Sequence, residues 1–494
     1  MNTRFCWCFF QRHIFFLVFL LTAGLAVRLY SLNTPLADWH SWRQADTASV
    51  TREYIKHRYP LLLPHYQDLS DIPSGKENVA GYRMVEFPIE NYLIAQFLIA
   101  FPRFDLVVTS RLVSIFFSLI SIAMLYVLVF QLTGKKLLAF FCAAVFALMP
   151  YSIYYSRVIL PEPTMLAFQL LSLVAFTQWV RLIKEKKSLV LRGLYGLLST
   201  FSFAIALLLK PMAAFVGPVY PVIAFGTLGW SAFTSFELYL FPALVFLPLA
   251  WWRHWILQFP SGIPASDWLY NQTGIRLRPA WWRWLFADRI GRLMMGYWGA
   301  AFLFLGAIVQ FGQKKLSLFD WVTIVWFLGM FAYLVVFATG NVQHDYYQIM
   351  LVPIISILFG RGVWAVGSLL REGHSPFVLI PVTLLVLALT GYFSWYEVSG
   401  YYHINNWAIV AAGKEIDKIT PPDATIVAEY GGDTAFLFQT NRTGWPVGNK
   451  IDDKIKEGAS YFVTTSEDDE AKTFEKKYPI VEKTPLFLIL KLSP

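Results

Sequence analysis

Charge is what this chain is short of. Only 15% of its 494 residues are Asp, Glu, Lys or Arg, against roughly 25% in a soluble protein. So few charges cannot cover a water-soluble globule of this length. The soluble class is excluded, and an integral membrane protein is predicted. Cysteine is scarce too. Cys6, Cys8 and Cys142 are the three present. None falls in a segment placed outside the membrane below, which argues against a disulfide framework and a zinc centre. Internal repeats and low-complexity segments are absent. Acidic residues are outnumbered, 32 against 41 Lys and Arg, giving a net charge of +9. In a membrane chain that excess marks cytoplasmic loops rather than nucleic-acid binding.

Long apolar runs are plentiful. Runs of bilayer length, roughly 17–25 residues, fall near 13–32, 106–132, 137–154, 163–181, 193–209, 211–229, 233–252, 297–311, 319–338, 349–368 and 376–395. They predict a polytopic α-helical protein with about eleven transmembrane helices. The first run follows Arg4 and Arg12 and lacks a small-residue cleavage site, so it reads as a retained span. Arg4 and Arg12, Lys135-Lys136, "RLIKEKKSLVLR" (181–192), Lys314-Lys315 and Arg371 then fall on one side. Lys- and Arg-rich short loops face the cytoplasm. The N-terminus is therefore expected inside and the C-terminus outside, with residues 33–105, 253–296 and the tail from about 396 also outside. Two domains follow: 1–395 transmembrane with its outer loops, and 396–494 extracytoplasmic. In the tail, 424–430, 459–465 and 486–492 read as strands, and 406–419 and 468–478 as helices, a small α/β domain. The turn "GGDTAFLFQTNRTGW" (431–445) reads as polar and exposed.

The remaining polar residues cluster. "DWHSWRQADTA" (38–48) leaves the first span on the outer side. Ala45, Ala48, Thr51 and Ile55 recur at helical spacing, so an amphipathic helix at the membrane interface is expected from Trp42. Trp39 and Trp42 suit the headgroup belt. Asp38 and Asp46 could simply cap a solvated helix. In "YYSRVILPEPTM" (154–165), Glu162 stands between Pro161 and Pro163, where a helix should start. Arg157 and Glu162 meet where membrane meets water, a depth at which charges have partners or work to do. Arg111 and Lys210 either snorkel or serve a site. "NVQHDYYQIMLVP" (341–353) adds His344, Asp345, Tyr346, Tyr347 and Gln348. All these clusters lie on one side, which suits a cavity holding an anionic lipid headgroup. A transporter would carry its charges near the midplane.

Taken in order, "DWHSWRQADTA", "EFPIENYL" (86–93), "SRLVS" (110–114), "YYSRVILPEP" (154–163), "LLLKP" (207–211) and "HDYYQIMLVP" (344–353) resemble the lipid-dependent glycosyltransferases of the C-type fold. The likeness is to family 39-like enzymes, kin to protein O-mannosyltransferases and aminoarabinose transferases, over roughly residues 13–365. The resemblance implies a polyprenyl-phosphate sugar donor, an active site at the outer face of the plasma or inner membrane, and a first-loop acid as base. The family's Asp-Glu pair is not intact. Aligning "TASVTREY" without gaps places Arg43-Gln44 there. Asp38 or Asp46 is then the base, with Asp38 preferred for its nearness to the span end. Arg111, Arg157, Lys210, His344, Tyr346 and Tyr347 are assigned to the donor phosphate. His40, Arg43 and Glu86 are assigned to the acceptor loop, where Glu86 and Pro88 match an E-x-P element. Glu162 matches an acidic position linked in relatives to metal or donor phosphate, so a divalent cation stays open there and no other cofactor is implied.

The chemistry accounts for these residue types. A hydroxyl acceptor needs a carboxylate within hydrogen-bond reach to attack an anomeric carbon. The leaving phosphate needs cations rather than a general acid. Inverting single displacement is the expected scheme. The partners expected are the lipid-linked sugar, a hexose or pentose, and a lipid, glycan or protein acceptor, in the membrane and without nucleic acid. A non-catalytic lipid carrier or assembly scaffold would share the spans and cations but need no base.

Overall fold

The computed structural model describes residues 3–309, 315–373 and 375–492, with side chains from residue 14 onward. Arg4, Cys6, Cys8 and Arg12, as side chains, and Lys314 lie outside the described residues. Cys142 is a buried free thiol.

Eight helices among the described residues are long and apolar enough to cross a membrane. They match the expected spans at 106–132, 163–181, 193–209, 211–229, 233–252, 319–338, 349–368 and 376–395. Of the other three expectations, the first meets the 26-residue helix Thr3–Arg28, and the other two meet shorter helices, Lys136–Leu148 and Ala300–Ile308. The chain is a multi-pass membrane protein. Leu106–Thr133 shows why such a helix forms. Asp105 caps its start by accepting from the Val108 N–H, and Gly134, at φ 68°, ends it. Its 28 residues reach about 42 Å at ~1.5 Å each, enough to cross a ~30 Å hydrocarbon core. Prolines set the interruptions. Pro150 opens the short helix Pro150–Tyr155 just after Lys136–Leu148 ends. Pro211 opens a 3₁₀ turn directly after Lys210, the residue that ends Leu189–Leu209.

One buried cation inside the bundle escaped the sequence reading. Arg28 donates to the carbonyls of Gly24, Phe146 and Ala147 and to the hydroxyls of Ser118 and Ser152. It thereby ties the first helix to its neighbours without a carboxylate.

The loops 33–105 and 253–296 and the tail meet at one end of the bundle. The Met84 N–H donates to the Gly262 carbonyl and the Ala265 N–H to that of Pro73. The helix Ser41–His57 forms where expected, but it does not lie on an interface. Arg43, Gln44, Asp46, Ser49, Thr51 and Glu53 are all buried. The neighbouring helix Ile89–Ala100 and a tail helix, Thr434–Gln439, pack against it. The expected amphipathic surface helix is thus corrected to one enclosed by protein. The second correction concerns 431–445. Ala435, Phe436, Leu437 and Phe438 are buried, because this short helix is the plug between tail and first loop.

The tail forms a five-stranded sheet in the order β2-β1-β3-β5-β4. The strands are β1 Thr425–Glu429, β2 Thr443–Trp445, β3 Ala459–Thr464, β4 Ile480–Lys483 and β5 Leu488–Lys491. β1 runs parallel to β2 and β3, while β5 is antiparallel to β3 and β4. The helices Trp407–Ile419 and Asp469–Lys477 accompany it. The two strands that were not anticipated, β2 and β4, are the edges, and both are short. First-loop residues extend the β2 edge: the Gly444 N–H donates to Gln67 and the Leu69 N–H to Gly444. A Cβ at Gly444 would lie 1.7 Å from the Ile426 carbonyl oxygen. Gly444→Ala should therefore lower the stability of the tail by about 2–4 kcal/mol, read as faster proteolysis of 396–494 in detergent.

Candidate active site

Three carboxylates organise the polar end, each with a different set of partners. Asp38 is fully enclosed. Its Oδ2 lies 2.6 Å from Arg157 Nη2 and 3.5 Å from Arg111 Nη2, and its Oδ1 accepts from Gln44 at 2.9 Å. The two guanidiniums spend further N–H groups on the chain leaving the first helix. Arg157 donates to the Ser31 carbonyl, and Arg111 to those of Leu32 and Thr34. Arg111 and Arg157 are themselves fully buried. This group is enclosed, and neither Arg111 nor Arg157 lines the cleft around Asp46.

Asp345 is the second. Trp39, His40, Tyr155 and Tyr401 all point polar hydrogens at its carboxylate, at 2.5–3.2 Å. His40 also meets His344 and Tyr346 edge-on, with ring centroids 5.7 and 5.2 Å apart. His40 sits at φ 53°, a left-handed conformation uncommon for a side-chain-bearing residue. It is the turn that starts the helix Ser41–His57 and points Arg43 and Asp46 away from Asp345.

Asp46 heads the third group, around a cleft of about 440 Å³ counting its open mouth. Arg43, Asp46, Thr47, Arg83, Glu86, Glu90 and Asn91 supply the polar wall. Asp46 Oδ2 pairs with Arg83 at 2.7 Å. Glu86 Oε1 receives Arg43 at 2.5 Å and Lys210 at 2.7 Å, and Lys210 reaches Glu162 Oε1 at 3.0 Å. Three of these groups, Glu86, Glu162 and Lys210, sit at breaks in regular structure. Lys210 ends one helix with an extended backbone, Glu162 begins another, and Glu86 lies just before Pro88 and the helix Ile89–Ala100. Proline restricts the backbone at all three places, so these side chains converge without any helix having to bend. Burial alone would raise the Glu86 carboxyl, but Arg43 and Lys210 hold it well below the ordinary carboxylate range. Burial pushes the nearby carboxyls of Asp68 and Asp433 up to about 6.

Of the residues singled out in the sequence, Arg43, Asp46, Glu86, Glu162 and Lys210 come together. His40, His344 and Tyr346 form the adjoining aromatic wall, with Tyr347 stacked on Tyr346 at 4.6 Å. Asp38, Arg111 and Arg157 form a separate group. Arg83, Glu90 and Thr434 escaped the sequence reading, although Arg83 stands only three residues before Glu86. The cation left open at Glu162 does not fit. Lys210 occupies that place, and no group of three His, Cys, Asp or Glu able to hold a metal ion exists among the described residues.

The family described as dolichyl-phosphate-mannose-protein mannosyltransferase matches residues 18–259, which carry most of this cleft. The whole fold is shared with ArnT from Cupriavidus metallidurans bound to undecaprenyl phosphate, at a TM-score of 0.67 and 11% identity, over 96% of this chain and 97% of that one. The fold is that of the C-type glycosyltransferases. The glycosyltransferase fold extends to the oligosaccharyltransferase of Archaeoglobus fulgidus in its apo form, at a TM-score of 0.59 and 12% identity, over 91% of this chain and 69% of that one. The archaeal AglB of Archaeoglobus fulgidus, in complex with an inhibitory peptide and a dolichol-phosphate, gives 0.56 and 12%, over 92% and 70%. No curated protein matches this chain in sequence.

Asp38→Ala would leave two buried guanidiniums on one uncompensated spot. Breaking a buried pair costs about 3–5 kcal/mol. The melting temperature of the purified protein in detergent should fall by several degrees, while Glu86→Gln, at the partly open cleft, should lower it less.

Proposed function

We propose that this chain transfers a sugar from a polyprenyl-phosphate donor to an acceptor at the outer membrane face, and that Asp46, not Asp38, is the base. The observation that carries this reading is the cleft itself. It gathers the carboxylates Asp46, Glu86 and Glu90 with the cations Arg43 and Arg83, and with Lys210 paired to Glu86, where a bundle of membrane-spanning helices meets its loops. Relatives of the same fold that hold undecaprenyl phosphate or dolichol-phosphate support a lipid-phosphate carrier here as well.

In the proposed step, the acceptor oxygen attacks the anomeric carbon from the side opposite the phosphate. The bond from that carbon to the phosphate oxygen breaks, and its electron pair leaves with the phosphate. The acceptor proton passes to Asp46. Arg43 and Lys210, already facing anionic Glu86, receive the charge of the departing polyprenyl monophosphate, so no general acid is required. Glu86 is a poor base because its two cations stabilise the ionised form. Asp38 is sealed from the cleft, which is why Asp46 takes the role. His344, Tyr346 and Tyr347 line the approach from the other side.

The test is Asp46→Asn in native membranes supplied with a panel of radiolabelled undecaprenyl-phosphate hexoses and pentoses. Transfer out of the lipid fraction should fall about a hundredfold or more, with donor binding retained. Full transfer by Asp46→Asn would return the role to another group or leave the chain a lipid carrier. Orientation is tested separately. In a background lacking Cys6, Cys8 and Cys142, a membrane-impermeant thiol reagent applied outside should label Lys476→Cys and not Lys187→Cys. The reverse pattern would place the cleft in the cytoplasm.

A further inference from the structure

The tail domain reaches into the cleft through one side chain. Thr434 is the first residue of the helix Thr434–Gln439. Its Oγ1 lies 2.7 Å from Asp46 Oδ1 and 3.1 Å from the Trp42 carbonyl oxygen. A hydroxyl has one proton to give. The shorter contact and the charged acceptor direct it to Asp46. Arg83 holds the other oxygen of the same carboxylate at 2.7 Å. Between them, a cation from the first loop and a hydroxyl from the tail fix the carboxylate plane.

Thr434 is itself held firmly. Asp433 caps the short helix by accepting from the Ala435 N–H at 2.7 Å. Phe438 packs among Leu36, Ala45, Ala48 and Ile159. The Arg52 guanidinium stands 3.7 Å over the Phe438 ring and donates to the Phe438 carbonyl at 2.6 Å. Gln439 donates to the Leu36 carbonyl at 2.9 Å. A β-branched residue on so anchored a turn has few rotamers to visit.

We infer that Thr434 is a positioning residue of the tail domain that orients Asp46 for proton abstraction. The inference rests on the reading of Asp46 as base. It gives the tail a part in the reaction. Removing the hydroxyl takes a donor from the ionised carboxylate. Arg83 alone then fixes the carboxylate, and its plane is free to turn about that one contact. The charged and titratable groups facing Asp46 are Arg43 on its own helix, Arg83, Tyr66 and Asp68 from the first loop, and Asp433 from the tail. None of these is altered by a change at Thr434 alone.

The experiment compares Thr434→Val, Thr434→Ser and Asp46→Asn as full-length proteins in native membranes, with the panel of radiolabelled undecaprenyl-phosphate sugars. Thr434→Val should lower kcat, per mole of protein that binds donor, about tenfold, with the KM for donor unchanged. Thr434→Ser should bring kcat back towards the starting value. Counting only donor-binding protein removes any loss through misfolding, so the ratio reads the hydroxyl even if Thr434→Val is less stable. An unchanged kcat in Thr434→Val, or a loss that Thr434→Ser fails to restore, would overturn the positioning role. If Asp46→Asn transfers normally, the reading of Asp46 as base fails first.

Discussion

A charge removed from water must find its opposite, and the polar end of this protein is built around one such pairing. Asp38 draws Arg111 and Arg157 together. The guanidiniums then gather the carbonyls of Ser31, Leu32 and Thr34. The chain leaving the first helix is in effect wound around two cations. That winding sets where the helix Ser41–His57 begins, and so which way Arg43 and Asp46 face. A buried pair of this kind is weak evidence for net stability, since desolvation offsets much of the attraction. Its value lies in direction: with the partners present, few other paths for the chain leave no charge unpaired.

The same rule sorts the other acids by how committed they are. Asp345 is met by four donors and acts as an anchor for aromatic side chains. Glu86 sits between two cations and stays ionised. Asp46 has one cation and one hydroxyl, and it borders open space. Of these acids it is the one that combines access with moderate support, which is what taking up a proton during a reaction demands.

Much of this was legible in the sequence, for identifiable reasons. Hydropathy exposed the spans because the bilayer imposes a length, and it was least informative at 137–154 and 297–311, where the helices are short. The family motifs gathered Arg43 with Glu86, Glu162 and Lys210, and prolines mark the breaks beside the last three. What sequence could not show was the grouping. Arg157 and Glu162 are five residues apart in the chain, yet one serves Asp38 and the other Lys210. Nearness along the chain suggested one site, whereas the turn between them separates two. The stretch 431–445 misled for a related reason. Its glycines and polar residues announce a surface turn, while Phe436 and Phe438 supply an apolar plug whose socket lies in a loop far upstream.

That distance has a consequence for how the protein is made. Gln67 donates to the Arg442 carbonyl, a partner 375 residues further along the chain, and the edge of the tail sheet is closed by the same loop. At about 5–20 residues per second, the loop waits roughly twenty seconds to over a minute for its partner to be synthesised. During that interval Gln67 and Leu69 lack the strand that completes them, and the carboxylate of Asp46 lacks its hydroxyl. The cleft is thus assembled from the first and last extramembrane portions of the chain, and it closes only at the end of translation. A partly made chain holds the helices without the finished site.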